Sequence, residues 1–200
     1  MIRFLSLILL LFSSLAPAKT LLVLGDSLSA GYNMAIEQSW PSLLSNTLSE
    51  RNINIDVING SISGDTTGNG LARLPNLLSQ HQPDYVLIEL GANDGLRGFP
   101  PKRIEANLNK LIYLSEAASA QPILMQIRVP PNYGKRYSEM FAQMYPKVAH
   151  ANQVPLIPFF LEQVIIKPEW MMNDGLHPKP EAQPWIADFM AEQLVPVISD

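Results

Sequence analysis

A serine hydroxyl is a poor nucleophile until a base takes its proton, and that base needs a carboxylate to hold its tautomer and stabilise its cation. Ser27, His177 and Asp174 can supply these three parts. Asp174 and His177 lie three residues apart in Asp174-Gly175-Leu176-His177-Pro178, a Gly- and Pro-rich stretch that reads as an exposed loop. That spacing puts both side chains on the same side of a turn, where the carboxylate can reach one ring nitrogen and leave the other facing a hydroxyl. The chemistry would be acyl transfer to Ser27 followed by hydrolysis, with activity rising as His177 loses its proton. An oxyanion must also be held, and the backbone N–H of Ser27, the backbone N–H of Gly64 and the side-chain amide of Asn93 are the candidate donors. Each feature has an ordinary alternative when taken singly. Gly25-Asp26-Ser27 can cap a helix, Gly64 can be a turn glycine, and Asn93 can brace a loop.

Distant residues need a scaffold to bring them together, and the hydrophobic pattern describes one. Short β-rich apolar runs at 21–24, 53–58, 85–90, 123–127 and near Leu156 alternate with stretches of helical period. The helices are expected around Trp40 to Leu48, 71–80, 104–118 and 140–151, with a last one carrying Trp185, Ile186, Phe189 and Met190. Ile104, Leu108, Leu111, Ile112 and Ser115 share one face of the helix from Pro101. Pro184 is tolerated if the last helix begins close to Glu181, where a missing N–H costs little. Alternation of this kind predicts an α/β fold, a three-layer α/β/α sandwich around a five-stranded parallel sheet. Ligands of such sheets bind beyond the carboxyl ends of the strands. Ser27, Gly64 and Asn93 all follow predicted strands.

Four blocks now stand in order: Gly25-Asp26-Ser27-Leu28, Gly64, Gly91-Ala92-Asn93-Asp94 and Asp174-Gly175-Leu176-His177-Pro178. Together they resemble the GDSL, or SGNH, hydrolase family, named for the Ser, Gly, Asn and His of its blocks. The stretches 25–32, 61–75, 90–99, 125–136 and 167–187 look like its bacterial periplasmic thioesterase and lysophospholipase branch. The resemblance implies a flavodoxin-like fold, no cofactor, and hydrolysis of acyl thioesters, lysophospholipids and small aryl esters. It also implies Ser27, Asp174 and His177 as the catalytic residues, with Ser27, Gly64 and Asn93 around the oxyanion. The Gly-x-Ser-x-Gly elbow of the α/β-hydrolases fits less well, because Ser29 stands where the last glycine would be.

Composition narrows the field. With 200 residues, 47% hydrophobic and 16% charged, the chain suits one core and one domain, over 19–200. Residues 1–18 read as a secretory leader: Arg3, an apolar run over 4–12, and Ala16-Pro17-Ala18 as a cleavage site with the cut after Ala18. The run falls short of the roughly 20 apolar residues that span a bilayer. A periplasmic or secreted protein without stable membrane insertion, acting as a monomer, is the expectation. Removing the leader leaves 13 basic residues against 18 acidic ones, which disfavours nucleic acid as a partner. The absence of cysteine excludes disulfides, a thiolate nucleophile and lipid attachment through cysteine. A two-metal phosphoesterase needs more histidines than the three scattered here, so no metal is expected. A carbohydrate acetylesterase of the same fold, or a non-catalytic periplasmic lipid- or glycan-binding protein, are the alternatives.

Two segments could shape the substrate site. Gly95-Leu96-Arg97-Gly98-Phe99-Pro100 carries two glycines around Leu96 and ahead of Phe99, which suggests a mobile flap laying Leu96 and Phe99 against an acyl chain. The basic and aromatic stretch 128–137 places Arg128 and Tyr133 where they could border the mouth and meet anionic head groups, or simply form a solvated loop. His81 and His150 read as surface residues at helix C-termini.

Overall fold

The structure is a computed structural model that describes residues 18–199, so the expected leader, apart from Ala18, lies outside the described residues. Five apolar runs form the strands: β1 Lys19–Gly25, β2 Ile55–Asn59, β3 Tyr85–Glu89, β4 Gln121–Met125 and β5 Leu156–Ile157. All pair in parallel, in the order β2-β1-β3-β4-β5. The helices are α1 Trp40–Ser49, α2 Thr67–His81, α3 Ala92–Leu96, α4 Pro101–Ala117, α5 Lys135–Asn152, α6 Leu161–Val164 and α7 Gln183–Ile198. α1 packs on α7, while α2 packs on α4 and α4 on α5, so two helical groups flank the sheet. This is the three-layer α/β/α sandwich in the flavodoxin-like strand order.

Covering a parallel sheet on both faces removes any need for alternation along its strands. β3 is accordingly buried at every residue, and Leu21, Leu22, Val23 and Leu24 of β1 are fully buried. The apolar stripe of α4 points inward as its spacing requires, with Ile104, Leu108, Leu111 and Ile112 inaccessible. Ser115 completes that stripe because its hydroxyl donates to the Leu111 carbonyl at 2.9 Å and needs no water.

Several elements differ from the pattern in the sequence, among them β2 at Ile55–Asn59, α2 from Thr67 and the short α6. β1 begins at Lys19 rather than Leu21, because its edge residues pair with β2, Lys19 opposite Ile55. α5 begins at Lys135, well before Met140, since its first turn is polar and carries no periodic signal while Phe141, Met144, Tyr145 and Val148 bury its inner face. A short helix, α3, occupies Ala92–Leu96 where a loop was expected. The last helix follows a 3-10 turn at Pro180–Ala182 and starts at Gln183, so Pro184 falls in its first turn and no hydrogen bond is lost.

The strand order reverses between β1 and β3, which opens a crevice beyond their carboxyl ends. The turn leaving β3 there needs glycine at 91: its φ is 121°, and a Cβ would stand 2.0 Å from the Tyr145 hydroxyl oxygen. That hydroxyl is held in place by donating to the Leu90 carbonyl at 2.9 Å.

Glu89, the last residue of β3, lies completely buried beneath the loop that follows β1. Its Oε2 accepts from the Ser29 hydroxyl at 2.7 Å and from the Asp26 N–H at 3.3 Å. Its Oε1 has no partner among the described residues. Burial, reinforced by the nearby Asp26 carboxylate, pushes the Glu89 carboxyl well above its ordinary value of 4.5. The folded protein therefore holds this proton at pH values where the unfolded chain releases it. The resulting stabilisation is complete below about pH 4.5 and is lost as pH rises towards the folded pKa. Glu89→Gln keeps the acceptor and does not titrate. Its stability relative to wild type in urea unfolding is expected to increase with pH above that point, by up to about 1.4 kcal/mol per pH unit. Parallel stability curves for the two proteins would show instead that Glu89 is ionised in both states.

Candidate active site

The loop after β1 turns sharply over Asp26. Its carbonyl accepts from Ser29 N–H and Ala30 N–H at 3.2 and 2.9 Å, and its carboxylate Oδ1 accepts from Leu28 N–H at 3.1 Å. This turn leaves Ser27 half-buried. The loop between α6 and α7 reaches Ser27 from the far end of the chain. An antiparallel bridge between Met171 and Pro178 closes its base, and the Met172 N–H donates to the His177 carbonyl at 2.8 Å. Gly175, at φ 66°, supplies the left-handed turn between them.

Inside that loop Asp174 works twice. Its Oδ1 accepts from the N–H groups of Leu176 and His177 at 2.9 and 3.0 Å, while its Oδ2 lies 2.7 Å from His177 Nδ1. A carboxylate can only accept, so the ring proton sits on Nδ1 and Nε2 is left with its lone pair. That lone pair faces the Ser27 hydroxyl at 2.9 Å. Tyr32 stacks on the imidazole, ring centroids 4.1 Å apart, and fixes the plane of the ring. Partial desolvation pushes the Asp174 carboxyl up, but the hydrogen bonds from the His177 ring and from the two backbone N–H groups outweigh it and hold the group at about 2. The acid is thus ionised throughout the range in which an imidazole titrates.

The three residues expected to supply oxyanion donors, Ser27, Gly64 and Asn93, line one cavity. Among the described residues neither the Ser27 nor the Gly64 backbone N–H has a protein acceptor. Gly64 is required by its φ of 84°, not by crowding, since a Cβ there would meet nothing within 4 Å. Asn93 is already engaged: its Nδ2 donates to Asp26 Oδ2 at 3.1 Å and to the Asp65 carbonyl at 3.0 Å. Both amide hydrogens have acceptors, so donation to a third oxygen requires that one of these bonds be shared or released. Burial raises the Asp26 carboxyl to about 7, against the opposing hydrogen bonds from Leu28 and Asn93. Its charge therefore develops across neutral pH and strengthens its hold on Asn93. The neighbouring Asp94 is buried and accepts from Thr67 N–H and Oγ1 at 2.7 and 2.6 Å, which ties the loop after β3 to the start of α2.

A cavity of about 790 Å³ opens from Ser27 and His177, walled mainly by apolar side chains such as Leu28, Val129, Phe159, Leu161 and Ile165. Leu96 and Arg128 are among the residues that line it. Arg128 is paired with Glu162 at 2.8 Å, and both line the wall, so its charge is already matched. Phe99 does not line the cavity. It packs against the core with Arg103 over its ring at 4.8 Å, because Phe99 N–H closes the turn after α3 on the Asp94 carbonyl. Tyr133 also stands off the cavity wall and donates to the Leu96 carbonyl at 2.9 Å. Nor is Gly95 a hinge: it is buried, and a Cβ would stand 2.2 Å from Val129 Cγ1. The segment is braced on its inner side, and its second glycine, Gly98 at φ 67°, lies in open space. Tyr32, Glu162 and Ile165 were not among the residues read from the sequence, for an isolated Tyr, Glu or Ile carries no motif.

A profile of the GDSL-like lipase/acylhydrolase family matches residues 23–183. An arylesterase of Vibrio mimicus is 68% identical over 197 residues, covering 98% of each chain. The thioesterase 1/protease 1/lysophospholipase L1 of Escherichia coli strain K12 is 55% identical over 196 residues, covering 98% of this chain and 92% of its own. Among solved structures, the psychrotrophic esterase EstA from Pseudoalteromonas sp., inhibited by monoethylphosphonate, superimposes with a TM-score of 0.88 at 44% identity, over 91% of this chain and 100% of its own. The chain belongs to the GDSL-like lipase/acylhydrolase family.

Proposed function

We propose that this chain is a serine esterase and thioesterase that hydrolyses acyl thioesters, lysophospholipids and small aryl esters through an acyl-enzyme at Ser27. One observation carries the reading: the unbroken line from Asp174 through His177 to the Ser27 hydroxyl, at 2.7 and 2.9 Å, at the mouth of an apolar cavity. The names of the relatives, arylesterase and thioesterase 1/protease 1/lysophospholipase L1, support the same class.

In the first half-reaction the Ser27 oxygen attacks the acyl carbonyl as its proton passes to His177 Nε2. Asp174, ionised, stabilises the imidazolium that forms. The carbonyl oxygen becomes an anion held by the N–H groups of Ser27 and Gly64 and by the Asn93 amide, which must then give up one of its two present acceptors. Collapse of this intermediate breaks the bond to the alcohol, phenol or thiol, and the imidazolium returns its proton to that leaving group. In the second half-reaction His177 takes a proton from water, the resulting hydroxide attacks the acyl-enzyme, and as the intermediate collapses the imidazolium returns that proton to the Ser27 oxygen, releasing the carboxylic acid and restoring the Ser27 hydroxyl. The wall around the cavity is apolar, which suits an acyl chain better than the hydroxyl-rich ring of a sugar ester. Cleavage after Ala18 and export to the periplasm or beyond complete the proposal, consistent with the absence, among the described residues, of any helix long and apolar enough to cross a membrane.

A fluorophosphonate probe is expected to label the protein at one site and to leave Ser27→Ala unlabelled; equal labelling of both would remove Ser27 from the role. Asp174→Asn should fold normally and lower kcat on an aryl ester about ten-thousandfold, because an amide at that position can present a donor to Nδ1 and reverse the tautomer. Leu96→Ala should reduce kcat/KM for long acyl chains about tenfold and leave acetyl esters nearly unchanged, as expected for lost apolar contact along the chain. An equal loss on both would place Leu96 outside the acyl path.

A further inference from the structure

The geometry points to Arg73 as a positioning residue that holds the three oxyanion-donor loops in register. It rests on the esterase reading above and adds to it a residue that touches neither substrate nor nucleophile. Arg73 projects from α2 beneath the crevice, and its guanidinium meets three acceptors on two loops. Nε pairs with Asp65 Oδ2 at 2.6 Å, Nη1 donates to the Gly60 carbonyl, and Nη2 donates to the Gly25 carbonyl at 3.2 Å.

These acceptors span the donors with little slack. Gly25 lies two residues before Ser27, so its peptide is the root of the turn that aims the Ser27 N–H. Gly60 and Asp65 stand at the two ends of the segment that carries Gly64, so the guanidinium fixes the chord of that segment, and Gly64 is the residue next to its far end. The Asp65 carbonyl in turn accepts from Asn93 Nδ2, which passes the same constraint to the third donor. Both side chains of the ion pair are largely shielded, 19% and 12% exposed, which preserves its strength where an open surface pair would be screened.

The platform beneath Arg73 is rigid. Thr66 caps the start of α2 by accepting from Asn69 N–H at 3.2 Å, and Asp94 accepts from Thr67 N–H. A planar fork of five donors can serve three acceptors in fixed directions, whereas an ammonium is a point charge on a flexible stem. Arg73→Lys therefore keeps the charge and gives up the simultaneous contacts.

The test measures kcat and KM of wild type, Arg73→Lys, Arg73→Ala and Ser27→Ala on a short aryl ester, at a temperature below the melting midpoint of each. Arg73→Lys is expected to stay folded and to lose kcat on the order of a hundredfold with KM unchanged, the loss typical of a reacting group displaced by about 1 Å. Millimolar, non-denaturing guanidinium is expected to restore part of the kcat of Arg73→Ala and to leave wild type unaffected. Wild-type kcat in Arg73→Lys overturns the proposal, as does a loss that merely follows the fraction of unfolded protein. Turnover retained by Ser27→Ala would overturn the esterase reading itself, and the positioning role with it.

Discussion

The short contact between Asp174 and His177 is the constraint on which the rest of the site depends. It is built entirely within one loop, by residues three apart, and two backbone N–H groups hold the carboxylate so that only one oxygen remains for the ring. Because that oxygen can only accept, the tautomer is decided locally, before Ser27 enters. What the fold must add is distance control over 150 residues of chain. It does so with the Met171–Pro178 bridge at the base of the loop and the Tyr32 ring against the imidazole.

On the opposite side of the crevice the arrangement is reversed. No single loop contains the proposed oxyanion donors; they come from the loops after β1, β2 and β3, which the strand order brings side by side. Their alignment is held by buried polar groups: Asp26 against Leu28 and Asn93, Glu89 under Asp26 and Ser29, Arg73 across Gly25, Gly60 and Asp65. Burying two carboxyl groups this close together is costly, and both respond by holding their protons to higher pH. A core of apolar side chains could not replace them, since the Asp26 and Leu28 N–H groups on either side of Ser27 would then lack acceptors.

Much of this was legible in the sequence, for a physical reason. Burial on both faces makes parallel strands read as continuous apolar runs, and the inward stripe of α4 repeats every three or four residues, so five strands and the main helices could be placed. The loop of Asp174 and His177 was legible because Asp, Gly, His and Pro together mark an exposed turn. Where signals failed, the cause was tertiary. The first turn of α5 is polar and shows no period, although it is helical. Phe99 and Tyr133 sit close to the site in sequence, but the turn closed on Asp94 and the hydroxyl contact to Leu96 draw them off the cavity wall. Arg73 and Glu89 carry no motif at all, since the Gly25 and Gly60 carbonyls that Arg73 meets and the Asp26 N–H and Ser29 hydroxyl that Glu89 meets lie on loops that only the three-dimensional arrangement brings to them.

The same distinction explains why the cavity is adaptable while the chemistry is not. Ser27, His177 and Asp174 are bound to one another at hydrogen-bond distance, and Ser27 follows closely on buried β1, so a shift in any one of them is resisted by the others. The cavity wall draws on short or irregular pieces: Phe159 and Leu161 around α6, Ile165 just after it, Val129 after β4 and Leu96 at the end of α3. Its contacts are apolar and non-directional, and exchanging one side chain for another of similar size alters the shape offered to an acyl chain without disturbing a hydrogen bond. A scaffold built this way can hold the proposed acyl-transfer residues constant while its choice among esters and thioesters drifts. The Arg128–Glu162 pair is the polar exception in that wall, and as a partly exposed ion pair of modest strength it limits little of that freedom.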